Sequence, residues 1–178
     1  MNQRLKMAAV ALALTEYGNK PHRLTKQEPA TVAPEPKPCG DCTMCCKIMA
    51  VEELAKPAGK WCPDCKIGEG CGRYETRPEP CRAFECAYAK GLMFDLEDAR
   101  PDHSKVVMSF TTDGAIPVAY VDKGRPDAWR EGAAGRWFDL MVKNLGRGIV
   151  VQGNKRLAVG RGWSKAELAK FQSGEGLH

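Results

Sequence analysis

The sequence predicts an α+β fold. A small, irregular cysteine-rich region is expected to pack with one main helix and with a four-stranded antiparallel sheet made of two hairpins. Three observations support this prediction. All 9 cysteines of the 178-residue chain lie between Cys39 and Cys86. Two pairs of apolar segments with short turns follow them, and a long segment with helical apolar periodicity lies between the pairs.

The same patterns divide the chain into three parts. Residues 1–38 are predicted to form an N-terminal helix and a flexible proline-rich linker, because apolar residues recur at helical spacing from Leu5 to Leu12 and five prolines follow. Residues 39–91 form the cysteine-cluster region. Residues 92–178 are predicted to be an α+β unit that ends in a capped helix.

The first hairpin is predicted from the segments KVVMSFT and AIPVAYV, which flank Asp113 and Gly114. Glycine tolerates the positive φ that a two-residue hairpin turn requires. The second hairpin is predicted from GIVVQ and KRLAVG, which flank Gly153 and Asn154. Two hairpins around one helix give the four-stranded antiparallel sheet of the predicted fold.

The main helix is predicted between these hairpins. Apolar residues recur at helical spacing from Trp129 to Leu145, and Gly146 can end the helix. A further helix is expected near the C-terminus, where Ser164 and Glu167 have the spacing of a capping box. Neither segment carries a pattern of catalytic residues.

Charge and hydropathy argue against two classes of protein. The chain has 27 Lys and Arg against 22 Asp and Glu, a formal charge of +5 that is spread along the sequence. Nucleic-acid binding normally needs basic residues clustered on one face, so it is not expected as the main function. No apolar stretch approaches the roughly 20 residues needed to cross a bilayer, so no membrane association is expected.

The predicted location is the cytoplasm. The apolar run from Met7 to Leu14 is short, and its A-x-A motifs lie inside the run, so an export signal is the weaker interpretation. An odd number of cysteines and the strain of a bridge between adjacent Cys45 and Cys46 argue against disulfides, which are the alternative. Reduced thiols are therefore predicted.

The cysteines have the spacing of metal ligands. A C-x2-C turn brings two sulfurs to about the separation that one tetrahedral metal requires. The three histidines, His22, His103 and His178, lie outside the cysteine region, so an all-sulfur site is predicted. Such a site favours zinc or iron over magnesium and calcium. The candidate metal ligands are Cys39, Cys42, Cys45, Cys46, Cys62, Cys65, Cys71, Cys81 and Cys86.

Two assignments of the metal fit the same residues. Cys39 with Cys42, and Cys62 with Cys65, have the spacing of a four-cysteine zinc site. Cys39, Cys42 and Cys45 also match the first three ligands of a ferredoxin-type run, which leaves an iron–sulfur cluster open.

Neighbouring cysteines favour two centres over one. The side chains of Cys45 and Cys46 point about 100° apart on a helix, or to opposite faces of a strand. The segment RPEPCRAFECAYAKG is predicted to be helical, and on a regular helix Cys81 and Cys86 would also point in different directions. Arg77 and Arg82 are candidate charge partners for the sulfurs.

The run CGDCTMCC, the segment GCGRYETRP and the sequence CRAFEC resemble the YkgJ-type family of zinc- or iron-chelating proteins, named for its CxxCxxCC motif. The resemblance covers residues 39–91 and includes Tyr74, Arg77, Pro78, Arg82 and Phe84. It implies metal or cluster binding in the cytoplasm. Some relatives have been called iron–sulfur oxidoreductases, and the flagellin lysine methylases carry a similar cysteine domain. This chain differs from the family pattern in having Cys65 as a ninth cysteine.

Three functions are consistent with these patterns. The first is a metal-binding protein without defined catalysis, in which zinc or iron holds a polar, Gly- and Pro-rich segment together. The second is an iron–sulfur oxidoreductase or cluster-dependent modifying enzyme, although no GxGxxG dinucleotide motif accompanies the cysteines. The third is a nucleic-acid or protein-binding module with a structural zinc site. The sequence indicates no particular protein partner.

Overall fold

The computed structural model describes residues 39–93 and 97–173, so the predicted N-terminal helix and linker lie outside the described residues. The α-helices in these ranges are α1 Met44–Ile48, α2 Glu79–Ala83, α3 Pro101–Ser104, α4 Gly132–Leu145 and α5 Lys165–Ser173. The strands are β1 Cys65–Lys66, β2 Gly70–Cys71, β3 Val106–Phe110, β4 Pro117–Val121, β5 Arg147–Gln152 and β6 Lys155–Gly160. Short 3-10 helices lie at Glu52–Leu54, Tyr74–Thr76, Glu97–Ala99 and Ala128–Arg130.

The main sheet is mixed, with the strand order β3-β4-β5-β6. The hairpin pairs β3–β4 and β5–β6 are antiparallel, but β4 and β5 are parallel, with Val118 opposite Ile149. The prediction of an all-antiparallel sheet is therefore wrong. The chain passes from β4 to β5 through α4, and a helical crossover returns the second strand in the same direction as the first.

The prediction of a single main helix is also wrong, because five α-helices occur in the described ranges. Three of them have only four or five residues, too few for a clear apolar period. The helix expected through CRAFECAYAKG ends at Ala83, and Phe84 is extended with ψ 123°. Three residues later the Ala87 N–H donates to the Met108 carbonyl on β3 at 2.7 Å, so this segment runs beside the edge of the sheet.

The two hairpin turns differ from each other. Gly153 and Asn154 form the expected two-residue turn, since Gln152 pairs with Lys155 and Gly153 has φ 60°. The turn between β3 and β4 is longer than expected. The Asp113 carboxylate there accepts hydrogen bonds from the Thr111 hydroxyl at 2.6 Å and the Ala115 N–H at 3.0 Å.

The main core lies between α4 and one face of the sheet. Its buried residues on α4 include Trp137, Phe138 and Met141, and those on the strands include Val106, Met108, Ala119, Val121 and Val150. The Trp137 indole N–H donates to the Leu92 carbonyl at 3.0 Å, which satisfies the one polar atom of that side chain. The apolar period predicted for α4 is thus confirmed as its core face.

Local signals mark the ends of the two longest helices as expected. Gly146 follows α4 with φ 79°, the left-handed conformation that ends many helices. At the start of α5, the Ser164 hydroxyl accepts a hydrogen bond from the Glu167 N–H at 3.2 Å. The Glu167 carboxylate accepts from the Ser164 N–H at 2.8 Å. These two bonds confirm the capping box.

The opposite face of the sheet carries the cysteine region at one end and α5 at the other. Met44 and Ile48 of α1 pack on Val107 of β3. The Lys47 ammonium also lies 2.6 Å from the buried Asp122 carboxylate, which follows β4. These contacts fix the helix that carries Cys45 and Cys46 against the sheet.

No helix in residues 39–93 or 97–173 is both long enough and apolar enough to cross a membrane.

Candidate metal centre

All nine cysteines fall within residues 39–93, and none of them forms a disulfide. Eight are partly buried and Cys39 is exposed. We divide them into two groups by their mutual interactions, and Cys39 also interacts with Cys46 across this division. The larger thiol group consists of Cys45, Cys46, Cys62, Cys65, Cys71 and Cys81. The smaller thiol group consists of Cys39, Cys42 and Cys86.

Turns in the backbone bring the cysteine segments together. The Cys42 N–H donates to the Cys39 carbonyl at 3.0 Å, and the Cys65 N–H donates to the Cys62 carbonyl at 3.1 Å. Each C-x2-C run therefore closes as a tight turn, as its spacing predicts. The Cys62 N–H also donates to the Cys46 carbonyl at 3.0 Å, which places the second turn beside α1.

Strands β1 and β2 place two further thiols of the larger group together. Cys65 and Cys71 are direct partners in this antiparallel pair, so their side chains lie on the same face. The intervening turn is attached to α1, because the Gly68 N–H donates to the Thr43 hydroxyl at 3.3 Å.

Thiols of the larger thiol group act on one another. Cys46 interacts with the side chains of Cys45 and Cys65, and Cys65 also interacts with the Thr43 hydroxyl. The side-chain interaction with Cys45, followed by burial, raises the pKa of Cys46 strongly. Burial and the neighbouring Cys46 raise the pKa of Cys65 to about 11. These shifts favour the protonated thiols of Cys46 and Cys65.

The smaller thiol group lies where the cysteine region meets the α+β unit. Cys42 and Cys86 both pack beside Met44, Ile48 and Val107. The Ala89 N–H donates to the Cys86 sulfur at 3.4 Å. Burial, with a smaller contribution from nearby Cys39 and Cys42, raises the pKa of Cys86 to about 11.

The Cys42 sulfur also accepts backbone N–H donors. Burial raises the pKa of Cys42, and hydrogen bonds from the Met44 and Asp102 N–H groups oppose this rise. Backbone N–H groups aimed at sulfur stabilise a thiolate once it forms. The donor Asp102 belongs to α3, so the α+β unit contributes directly to the surroundings of this group.

Lys56 is the buried cation nearest to the larger thiol group. It is only 5% exposed, and its ammonium donates to the carbonyls of Met49, Lys47 and Pro57. Burial lowers the pKa of Lys56, and ionised cysteines raise it again. The strongest of these interactions are with Cys62, Cys46, Cys45 and Cys81.

Two arginines act on the smaller thiol group, and only one of them was expected. Arg77 lies close enough to influence Cys39 and Cys81, and its guanidinium stacks 3.6 Å from the Tyr74 ring centroid. Arg100 is ion-paired with Asp41, inside the C-x2-C turn, and also influences Cys39. The other expected partner, Arg82, is exposed at the end of α2.

Sequence reasoning missed Lys56, Arg100 and Asp102. No motif marks these residues, because each reaches the thiols only through the folded chain. The expectation that histidine plays no part stays a prediction for His22 and His178, which lie outside the described residues. His103 is exposed, and its Nε2 lies 3.9 Å from an Asp102 carboxylate oxygen.

The thiols are neighbours, but their sulfur atoms do not converge on a point. Within residues 39–93 and 97–173, no group of three or more Cys, His, Asp or Glu side chains is arranged so that it could hold a metal ion. Burial raises the pKa values of Cys42, Cys65 and Cys86, which favours the protonated thiols there. A cation would have to displace those protons and draw the sulfurs inward.

No family model, no curated protein and no solved structure matches this chain.

Proposed function

We propose that this chain is a metal-binding protein whose residues 39–91 fold around zinc or iron held by cysteine thiolates. The proposed role of the metal is structural: it would cross-link turns that bury no apolar side chain of their own. The resemblance of CGDCTMCC and CRAFEC to the YkgJ-type family supports the same proposal. We place the protein in the cytoplasm, where its thiols would stay reduced.

One observation carries the proposal. In residues 52–86, all of which the structure describes, the only buried residue is Lys56. A segment of this length normally orders itself by burying apolar side chains, because that burial offsets the loss of chain entropy. This segment instead buries the Lys56 ammonium against backbone carbonyls, so it needs another source of stabilisation. Structural zinc in small peptides supplies about 10–16 kcal/mol of apparent binding free energy, which is ample.

The charge of Lys56 points to the same conclusion. A buried cation is costly unless an anion lies nearby. The ionisable groups that act most strongly on Lys56 are four thiols of the larger group. Neutral thiols do not compensate its charge, whereas metal-bound thiolates do, and four thiolates around a divalent cation leave a net negative charge.

The donor sets fit two centres. The larger thiol group has more than the four sulfurs that zinc requires. The smaller thiol group has three, and its surroundings already contain N–H donors to the sulfurs of Cys42 and Cys86. Zinc bound there would act as a redox-inert cross-link, and an iron–sulfur cluster would add the capacity to carry an electron. The chain's own contribution is to hold the thiols near one another, to supply Lys56 as counter-charge, and to exclude water from Cys42 and Cys86.

Elemental analysis and a visible spectrum of protein purified without oxygen test this proposal. We expect one to two zinc or iron atoms per chain if zinc or mononuclear iron is bound, and more iron with acid-labile sulfide if clusters are bound. Zinc gives a colourless protein, and clusters give a brown one. Protein that is folded, reduced and free of both metals would overturn the proposal.

A further inference from the structure

Two adjoining cavities form one trough that runs from the β3 edge of the sheet onto the face opposite α4. The larger, of about 770 Å³, lies between α2 and the end of β3. The smaller, of about 110 Å³, lies over β4 and β5, next to α5. Phe110, Thr111, Thr112 and Tyr120 line both cavities, so the trough is continuous. Its combined size is in the range of small-molecule sites.

The floor and ends of the trough are mainly apolar. Val118 and Ile149 are buried partners on β4 and β5 and form the floor of the smaller cavity. Phe84 packs edge-to-face on Tyr120, with ring centroids 6.5 Å apart, at the cysteine-region end. Phe171 of α5 lines the opposite end. An apolar body would be shielded from water on these sides.

A positive charge lies at the α5 end of the trough. Arg156 is the β6 partner of Val151, so its side chain lies on the trough face of the sheet. Its guanidinium is close enough to Tyr120 to oppose the rise in pKa that burial gives the phenol. In the described part of the chain, no carboxylate forms an ion pair with Arg156.

The carboxylates of the trough lie at its other end. Glu85 and Asp113 line the larger cavity only, together with Lys90. Two carboxylates outnumber the single ammonium of Lys90 at that end, so a ligand with one negative charge is favoured at Arg156, where the Tyr120 hydroxyl can also donate a hydrogen bond. This arrangement gives a bound anion a defined orientation.

We propose that the trough binds a small organic anion with an apolar body. Its carboxylate contacts Arg156 and the Tyr120 hydroxyl, and its apolar part lies over Val118 and Ile149 towards Phe84. The site is separate from the thiol groups, and the proposal does not depend on metal binding. The site would recognise the ligand by the positive charge at one end and by apolar contacts along the rest of the trough.

Octanoate and octanol are matched probes for this site, because they differ mainly in charge. Calorimetric titration of the full chain should give a 1:1 complex with octanoate, with a dissociation constant of about 1 mM or lower. Octanol should bind at least about fivefold more weakly. Arg156→Gln should raise the dissociation constant for octanoate by about fivefold or more, and Tyr120→Phe should raise it by about threefold. Arg161→Gln, a change at another exposed arginine near the end of β6, should alter affinity by less than about twofold.

Methyl NMR locates the bound probe. Octanoate should shift the methyl signals of Val118 and Ile149 and leave those of Val106, on the α4 face of the sheet, unchanged. The proposal would be overturned if octanoate did not bind, or if octanol bound equally well. It would also be overturned if Arg156→Gln and Arg161→Gln had equal effects on affinity, or if the shifted signals were confined to the α4 face. Arg156 is exposed on a strand edge, so its substitution should leave the circular dichroism spectrum of the protein unchanged.

Discussion

Replacing Cys46 by serine should remove metal from the larger thiol group and make residues 39–91 sensitive to protease. Cys46 lies at the centre of this group: its carbonyl accepts from the Cys62 N–H, and its thiol interacts with those of Cys45, Cys65 and Cys81. We therefore assign it as one of the four ligands of this centre. Serine keeps the size of the side chain, but its hydroxyl does not ionise at neutral pH and is a poor ligand for zinc or iron. We expect metal affinity to fall by more than about 100-fold, measured by elemental analysis after dialysis against a chelator.

Cys42→Ser and His103→Gln are the matched comparisons. Cys42→Ser should remove metal from the smaller thiol group only, so each cysteine variant should retain part of the metal if two centres exist. His103→Gln changes an exposed side chain and should alter neither metal content nor protease resistance. A Cys46→Ser protein with full metal content and unchanged proteolysis would show that this sulfur binds no metal.

Replacing Lys56 by methionine should weaken metal binding by about 10- to 100-fold, the usual effect of removing a residue that supports metal ligands. The ammonium compensates the negative charge of the thiolate centre, and methionine has a similar shape without the charge. The metal-free protein should lose little stability, because methionine also removes the cost of burying an ammonium group. Competition with a chromophoric chelator measures the metal affinity. Thermal unfolding after chelation measures the stability of the metal-free protein.

Lys60→Met is the control, since Lys60 lies in the same loop but is exposed. It should leave metal affinity within about twofold of the original chain. If Lys56→Met instead destabilised the metal-free protein as much as the metal-bound protein, then Lys56 would act only through its hydrogen bonds to the carbonyls of Met49, Lys47 and Pro57.

The features that the sequence predicts correctly are those with local causes. The turn at Gly153 and Asn154, the end of α4 at Gly146 and the capping box of α5 each depend on a few adjacent residues. The direction of β5 relative to β4 does not. Both an antiparallel and a parallel arrangement bury the same apolar faces, and only the path of the chain through α4 selects the parallel one.

The length of α2 could not be predicted from the sequence, because a contact between distant segments ends this helix. CRAFECAYAKG has reasonable helix-forming residues, yet the chain leaves the helix at Phe84 so that Ala87 can bond to Met108 on β3. A contact between distant segments outweighs weak local propensity. That extended segment also forms one wall of the large cavity, which no pattern in the sequence predicts.

The candidate site was predictable only where it depends on residues that are close in the sequence. C-x2-C spacing indicates which residues meet locally, and Cys65 pairs with Cys71 on neighbouring strands, with Cys46 nearby. The convergence of the sulfurs around a metal stays a prediction. The grouping of Cys86 with Cys39 and Cys42 depends on the packing of α1 against the sheet. Lys56 and Arg100 enter the site from segments that carry no recognisable motif.

X-ray absorption at the metal edge tests the central proposal most directly, because it counts the atoms bound to the metal. For zinc, the larger thiol group predicts four sulfur neighbours at about 2.3 Å, and a second zinc in the smaller group predicts three sulfurs with one nitrogen or oxygen neighbour near 2.0 Å. For iron, the larger thiol group predicts sulfur neighbours alone. A first shell dominated by nitrogen or oxygen would contradict the proposal that these cysteines hold the metal.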